Sequence, residues 1–114
     1  LNGANLRFAN LSNANLSGSS LSSTNLSDAN LTGADLSGAD IRANLFRANL
    51  SNANLSGSSL NSTNLSDANL SGSNLRGANM SGTDLRGITA TNIRNCPSSL
   101  PDGWVCENNS LIRS

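Results

Sequence analysis

A large aliphatic residue recurs at every fifth position of this chain, and that period constrains the fold more than any other feature. Centres run from Leu1 through Leu6, Leu11 and so on to Ile41, then from Leu45 to Leu85, eighteen in all, with Ile41 and Met80 the only two that are not Leu. An amphipathic helix needs apolar residues at three- and four-residue spacing, and a half-buried strand needs alternation; a period of five fits neither. A short unit repeated over about three quarters of the chain marks a solenoid, in which each unit buries its apolar face only by stacking on its neighbours.

Each unit has a readable anatomy. Two residues before the centre stands a small residue, eleven Ala, three Ser and three Thr over seventeen units. In an extended segment that residue and the centre point the same way, so both face inward and the small one leaves room for the large one. Two residues after the centre, nine of seventeen positions are Gly, where a type II turn requires a positive φ. Asn13, Asp28, Asn52 and Asp67 fill the same slot as tolerated substitutes. Each unit is thus a short flat side followed by a corner. The residue just before the centre is Asn in twelve units, Asp in three and Ser in two, and an amide ladder bonding along the stack is expected there.

This Ala-(Asn/Asp)-Leu-x-x pattern resembles the pentapeptide-repeat family, including its cyanobacterial members. The resemblance implies an all-β fold, a right-handed quadrilateral β-helix with four units per coil and about four to five coils over residues 1–95. Stacked neighbours then lie about 20 residues apart in sequence and ~4.8 Å apart in space.

Residues 4–40 and 43–79 align at an offset of 39 with 29 identities over 37 positions, which marks a tandem duplication. The offset falls one short of 40, and the missing residue lies between Ile41 and Leu45, so a tightened corner at Arg42 is expected with the stacks intact. Four-per-coil stacking puts Phe8, Asp28, Arg47, Asp67 and Gly87 in one outward column and Arg7, Ser27, Phe46, Ser66 and Arg86 in the next. An Asp28–Arg47–Asp67 ladder follows, of under ~1 kcal/mol per exposed pair. Both Phe residues then point outward, and Arg7, Phe8, Phe46 and Arg47 form the candidate interaction patch. Thr24, Thr63 and Thr83 face inward, where carbonyls of adjacent coils are expected to accept their hydroxyls.

After Leu85 the rhythm fails, and both Cys, both Pro and the only Trp fall between Cys96 and Cys106. Residues 96–114 are expected to be a cap and tail, with Leu100, Trp104 and Val105 lying across the open end of the solenoid and Pro blocking further pairing. Two cysteines ten apart allow a disulfide, a partial metal site or free thiols. With no His and no further Cys a zinc site lacks ligands. A Cys96–Cys106 disulfide is the favoured reading, and with it a periplasmic, lumenal or secreted location; free thiols would go with the cytoplasm. At the other end the chain starts directly on a repeat, and upstream residues or a second copy, as a homodimer, are expected to cover that coil.

Seven Arg balance seven acidic residues, so the net charge is zero. That leaves no electrostatic footprint for nucleic acid or an anionic membrane. No catalytic residue, cofactor site or metal site assembles: there is no His, the only Glu is Glu107, and the Ser residues lack a base. Asp35 and Asp40 are expected as solvated neighbours around one corner. The chain is therefore expected to be a non-enzymatic structural or protein-interaction solenoid. Two other readings rank below it. The gyrase-directed members of the family imply a DNA-mimicking role, which neutral charge disfavours; ice binding by hydroxyl ladders is remote, because Ser outnumbers Thr.

Overall fold

The computed structural model describes residues 2–114; the first expected centre, Leu1, lies outside them. Parallel bridges link Asn5, Asn25, Asn44, Asn64 and Asp84 in one column and Asn10, Asn30, Asn49, Asn69 and Thr89 in the next. Two further columns run from Asn15 to Asn95 and from Ser20 to Ser99. Four columns make four sides, and a rod of 34 × 22 × 21 Å results.

The corners form as the sequence requires. The amide of the small residue donates to the carbonyl of the preceding centre, as Ala9 does to Leu6 at 2.9 Å and Ala53 to Leu50 at 3.0 Å. The third residue of each such turn has φ near +60°, whether it is Asn13, Asp28, Asn52 or Asp67. Gly72 has a second reason to be Gly, because a Cβ there would collide with the Asn52 side-chain oxygen one layer away. Asn before each centre does not build the expected amide ladder. Its Oδ1 turns onto its own corner, accepting the backbone N–H two residues on, as from Ser51 to Asn49 at 3.0 Å, and the Ser51 hydroxyl at 2.8 Å. This local Asx turn satisfies a corner donor that stacking leaves unpaired. Near the C-terminal end such bonds do run along the stack, as from Asn95 Nδ2 to Asn74 Oδ1 at 3.0 Å.

Centres from Leu21 to Leu85 and their small partners form one continuous buried core. Leu6, Leu11 and Leu16 are only half-buried, since a described layer covers them from one side alone. The missing residue is absorbed at Arg42, which adopts φ +29°. Bridges step by 19 residues across that layer, as from Asn30 to Asn49, and by 20 in the layer after it, as from Asn49 to Asn69, so every column passes through unbroken.

Buried hydroxyls divide into two groups. Thr83 Oγ1 donates to the Leu60 carbonyl at 2.7 Å, and Ser58 Oγ to that of Leu55 at 2.7 Å. Thr63 Oγ1 and Ser73 Oγ are buried with no hydrogen-bond partner among the described residues. An unsatisfied buried hydroxyl costs about 1–3 kcal/mol. Thr63→Val and Ser73→Ala are therefore expected to raise stability by about 1 kcal/mol each, while Thr83→Val lowers it by about as much; urea unfolding of the single variants checks this.

Beyond the repeat, strands β1 (Trp104–Glu107) and β2 (Ser110–Arg113) form an antiparallel hairpin. Asn108 and Asn109, at φ +50° and +59°, make its two-residue turn, the geometry that matches strand twist and tolerates Asn. The hairpin joins the last layer through Leu111 N–H to Ala90 O at 3.1 Å and Asn109 O from Ile93 N–H at 3.0 Å.

Candidate functional site

One corner of the rod collects most of the residues that break the repeat. Amide-to-carbonyl bonds from Phe8 to Ser27, Asp28 to Phe46, Arg47 to Ser66 and Asp67 to Arg86 stack five successive turns directly on one another. Along this edge the Arg7 guanidinium lies over the Phe8 ring at 4.6 Å and 3.6 Å from Asp28. Asp28 is also 3.3 Å from Arg47, whose guanidinium sits 6.0 Å from the Phe46 ring. The result is a chain Phe8–Arg7–Asp28–Arg47–Phe46 across three layers.

The sequence placed these residues on one edge but misjudged two details. Phe8 is 67 % exposed, whereas Phe46 is half-buried against the rod instead of standing free. The expected ladder is completed from the other side: Arg47 pairs with Asp28 alone, Asp28 also draws in Arg7, and Asp67 makes no ion pair among the described residues. Arg86, the cation nearest to replacing that partner, is held by Asp84 through Nε at 3.0 Å and Nη2 at 2.7 Å.

Phe8 and Arg47 are unusual in backbone as well. They occupy the positive-φ corner position at +64° and +60°, where the other residues are Gly, Asn, Asp or Ser, apart from Arg42 in the shortened corner. Left-handed backbone costs an ordinary side chain roughly 1–2 kcal/mol, and strain retained at a non-Gly residue is worth a functional hypothesis.

The remaining carboxylates are tied to their own turns. Asp35 accepts the Ser37 hydroxyl and amide, which lower its pKa. Arg42 binds Asp40 through two nitrogens, at 2.7 and 2.6 Å, and likewise lowers it; Arg86 lowers Asp84. Held ionised, these groups are poor general acids. The Asp-x-Arg spacing at Asp40-Ile41-Arg42 and Asp84-Leu85-Arg86 is the sequence signal for these two pairs.

At the C-terminal end Cys96 and Cys106 are disulfide-bonded, with Cα atoms 6.0 Å apart. Leu100 and Trp104 pack against the core. Val105 falls on the opposite face of β1, where its cross-strand partner is Ile112, and Leu111, opposite Cys106, is buried instead. Strand alternation decides this, and the hairpin itself could have been found from Asn108-Asn109 between two apolar stretches. Among the described residues no helix is long and apolar enough to cross a membrane, and no cluster of three metal-ligating side chains gathers.

The sequence matches the family model for pentapeptide repeats in eight copies, over residues 1–38 and 48–87. A search of curated proteins returned no match. Among solved structures, HetL, a pentapeptide repeat protein involved in heterocyst differentiation regulation in the cyanobacterium Nostoc sp. PCC 7120, is 36 % identical with a TM-score of 0.54. The match covers 77 % of this chain but only 45 % of HetL, so the chain spans less than half of that protein. A pentapeptide repeat protein of the Arabidopsis thaliana thylakoid lumen is 32 % identical, TM-score 0.54, over 76 % of this chain and 68 % of the other. Rfr23 of the cyanobacterium Cyanothece 51142 is 34 % identical, TM-score 0.50, over 73 % and 64 %. These likenesses imply a right-handed quadrilateral β-helix.

Proposed function

The chain belongs to the pentapeptide-repeat family, and from that membership we propose that it is a non-enzymatic interaction solenoid whose partner contact is the Arg7–Phe8–Phe46–Arg47 corner. About four to five coils over residues 1–95 form the rod in this reading, and residues 96–114 form its cap. The observation that carries the proposal is the pair of strained, exposed side chains at Phe8 and Arg47. Neither is needed to turn the corner, since Gly and Asn turn it elsewhere in the same chain. A large apolar ring standing 67 % exposed beneath the Arg7 guanidinium, with Arg47 exposed further along the same edge, has the composition of an interface anchor. Membership in a family of generally structural or interacting proteins supports the same reading. The disulfide supports an oxidising compartment, periplasmic, lumenal or secreted. A gyrase-directed role is not favoured, because charge alternates along the corner instead of forming an acidic face.

The experiment is capture of partner protein from the source cell's extract by the wild type, a Phe8→Gly/Arg47→Gly variant and a control altered at Ser17 and Ser37. Binding lost only in the corner variant, by about tenfold or more, supports the proposal. Equal capture by all three sinks it.

A further inference from the structure

We propose that the charged corner is a self-complementary surface on which two copies of this chain pair side by side and antiparallel, not end on. The inference rests on the reading of this corner as an interaction edge. It starts from how charge is distributed along the stacked turns. In the N-terminal half two cations, Arg7 and Arg47, share one carboxylate, Asp28, at 3.6 and 3.3 Å, leaving one positive charge in excess. In the C-terminal half one cation, Arg86, is held by Asp84 and attracts the exposed Asp67 only from beyond ion-pair distance, so these three groups carry one negative charge in excess. A single edge therefore carries a positive half and a negative half. An isologous two-fold contact sets the first against the second twice over.

The spacing narrows the partner further. Successive turns of this edge are directly hydrogen-bonded, so their side chains repeat at the strand separation of ~4.8 Å. An extended strand laid along the rod repeats one face every ~6.7 Å, and a helix every ~5.4 Å. Both drift out of register over five turns; a second copy of this chain does not. With the two-fold axis between the Arg47 and Asp67 turns, Arg47 of each copy faces Asp67 of the other. The same axis places the two Phe46 rings about one turn apart, within the range of aromatic contact. A corner is narrow, so the buried area falls below that of a stable dimer. Association is correspondingly weak and sensitive to salt.

Sedimentation of the wild type, Arg47→Asp, Asp67→Arg and an equal mixture of the two variants tests this, at chain concentrations up to about 1 mM and at about 20 and 500 mM salt. The wild type should rise from 11.7 kDa towards twice that mass at low salt and fall back at high salt. Each variant alone sets like charges opposite one another and should bind itself at least tenfold more weakly. Mixed, the two variants set the introduced carboxylate against the introduced guanidinium at one contact and keep the native Arg47–Asp67 pair at the other, so the dimer should return. A wild type that stays monomeric, a variant that self-associates like the wild type, or a mixture that stays monomeric overturns the proposal. A monomeric wild type that still captures another protein through Phe8 and Arg47 would remove the second copy and leave the interaction corner standing.

Discussion

Leu50→Ala is expected to lower the unfolding free energy by about 3–4 kcal/mol, within the range measured for buried Leu truncations. Leu50 is fully buried, and in its column Leu31 lies on one side and Leu70 on the other, both fully buried too. A β-helix interior is filled by these stacks alone, and the backbone of the flanking layers is fixed by hydrogen bonds such as Leu31 N–H to Asn49 O at 2.7 Å and Leu50 N–H to Asn69 O at 2.7 Å. The lattice cannot collapse into the space without breaking its ladder, so the cavity persists. Leu11→Ala, in a half-buried layer, should cost roughly half as much, because less of the side chain leaves water on folding. Urea unfolding followed by far-UV circular dichroism measures both. Equal losses at the two positions would contradict the stacked core.

Breaking the Cys96–Cys106 bridge has the second large effect. A cross-link closing a loop of this length stabilises by about 3 kcal/mol through the unfolded chain. Here the effect should be local. In a solenoid each layer contacts only its neighbours, and the hairpin reaches the rod through a few bonds near Ala90 and Ile93. In Cys96→Ser/Cys106→Ser, protection from hydrogen exchange should fall first at Leu111 and Ile93 and last at centres such as Leu50. Trp104 fluorescence should then report a transition ahead of circular dichroism, since Trp104 packs on the terminal core while the signal of the stack comes from the layers beneath. Coincident transitions at the wild-type midpoint would mean that the bridge does not hold the cap.

What could be read in the sequence was what the repeat itself imposes. Period, inward pairs and positive-φ corners follow from one unit whose physics is the same at all eighteen centres. The deletion at Arg42 was legible because the columns around it must continue. The misreadings occurred where a side chain chooses among neighbours at similar distance. Asn49 could bond along the stack or to its own turn, and its own turn offers two donors, the Ser51 amide and hydroxyl. Arg47 could lean to Asp28 or Asp67, and it leans to Asp28. Column order states which groups are adjacent, not which rotamer each adopts. The hairpin lies outside that logic: beyond the repeat no period fixes which apolar residue faces the core, and strand alternation selects Leu111 over the expected Val105.

These particulars separate residues that hold the rod up from residues that the rod merely tolerates. Leu50, Gly72 and Asn49 belong to the first group. Phe8 and Arg47 belong to the second, held in a backbone conformation that their side chains disfavour. The most direct test is the unfolding free energy of Phe8→Gly/Arg47→Gly. Relief of left-handed strain, roughly 1–2 kcal/mol per residue, should at least offset the lost exposed ion pair and the two lost ring contacts, each worth up to about 1 kcal/mol. The variant is predicted to be as stable as the wild type or more so, by about 1 kcal/mol. A loss of about 2 kcal/mol or more would show that this corner is part of the scaffold, and would contradict the assignment of function to it.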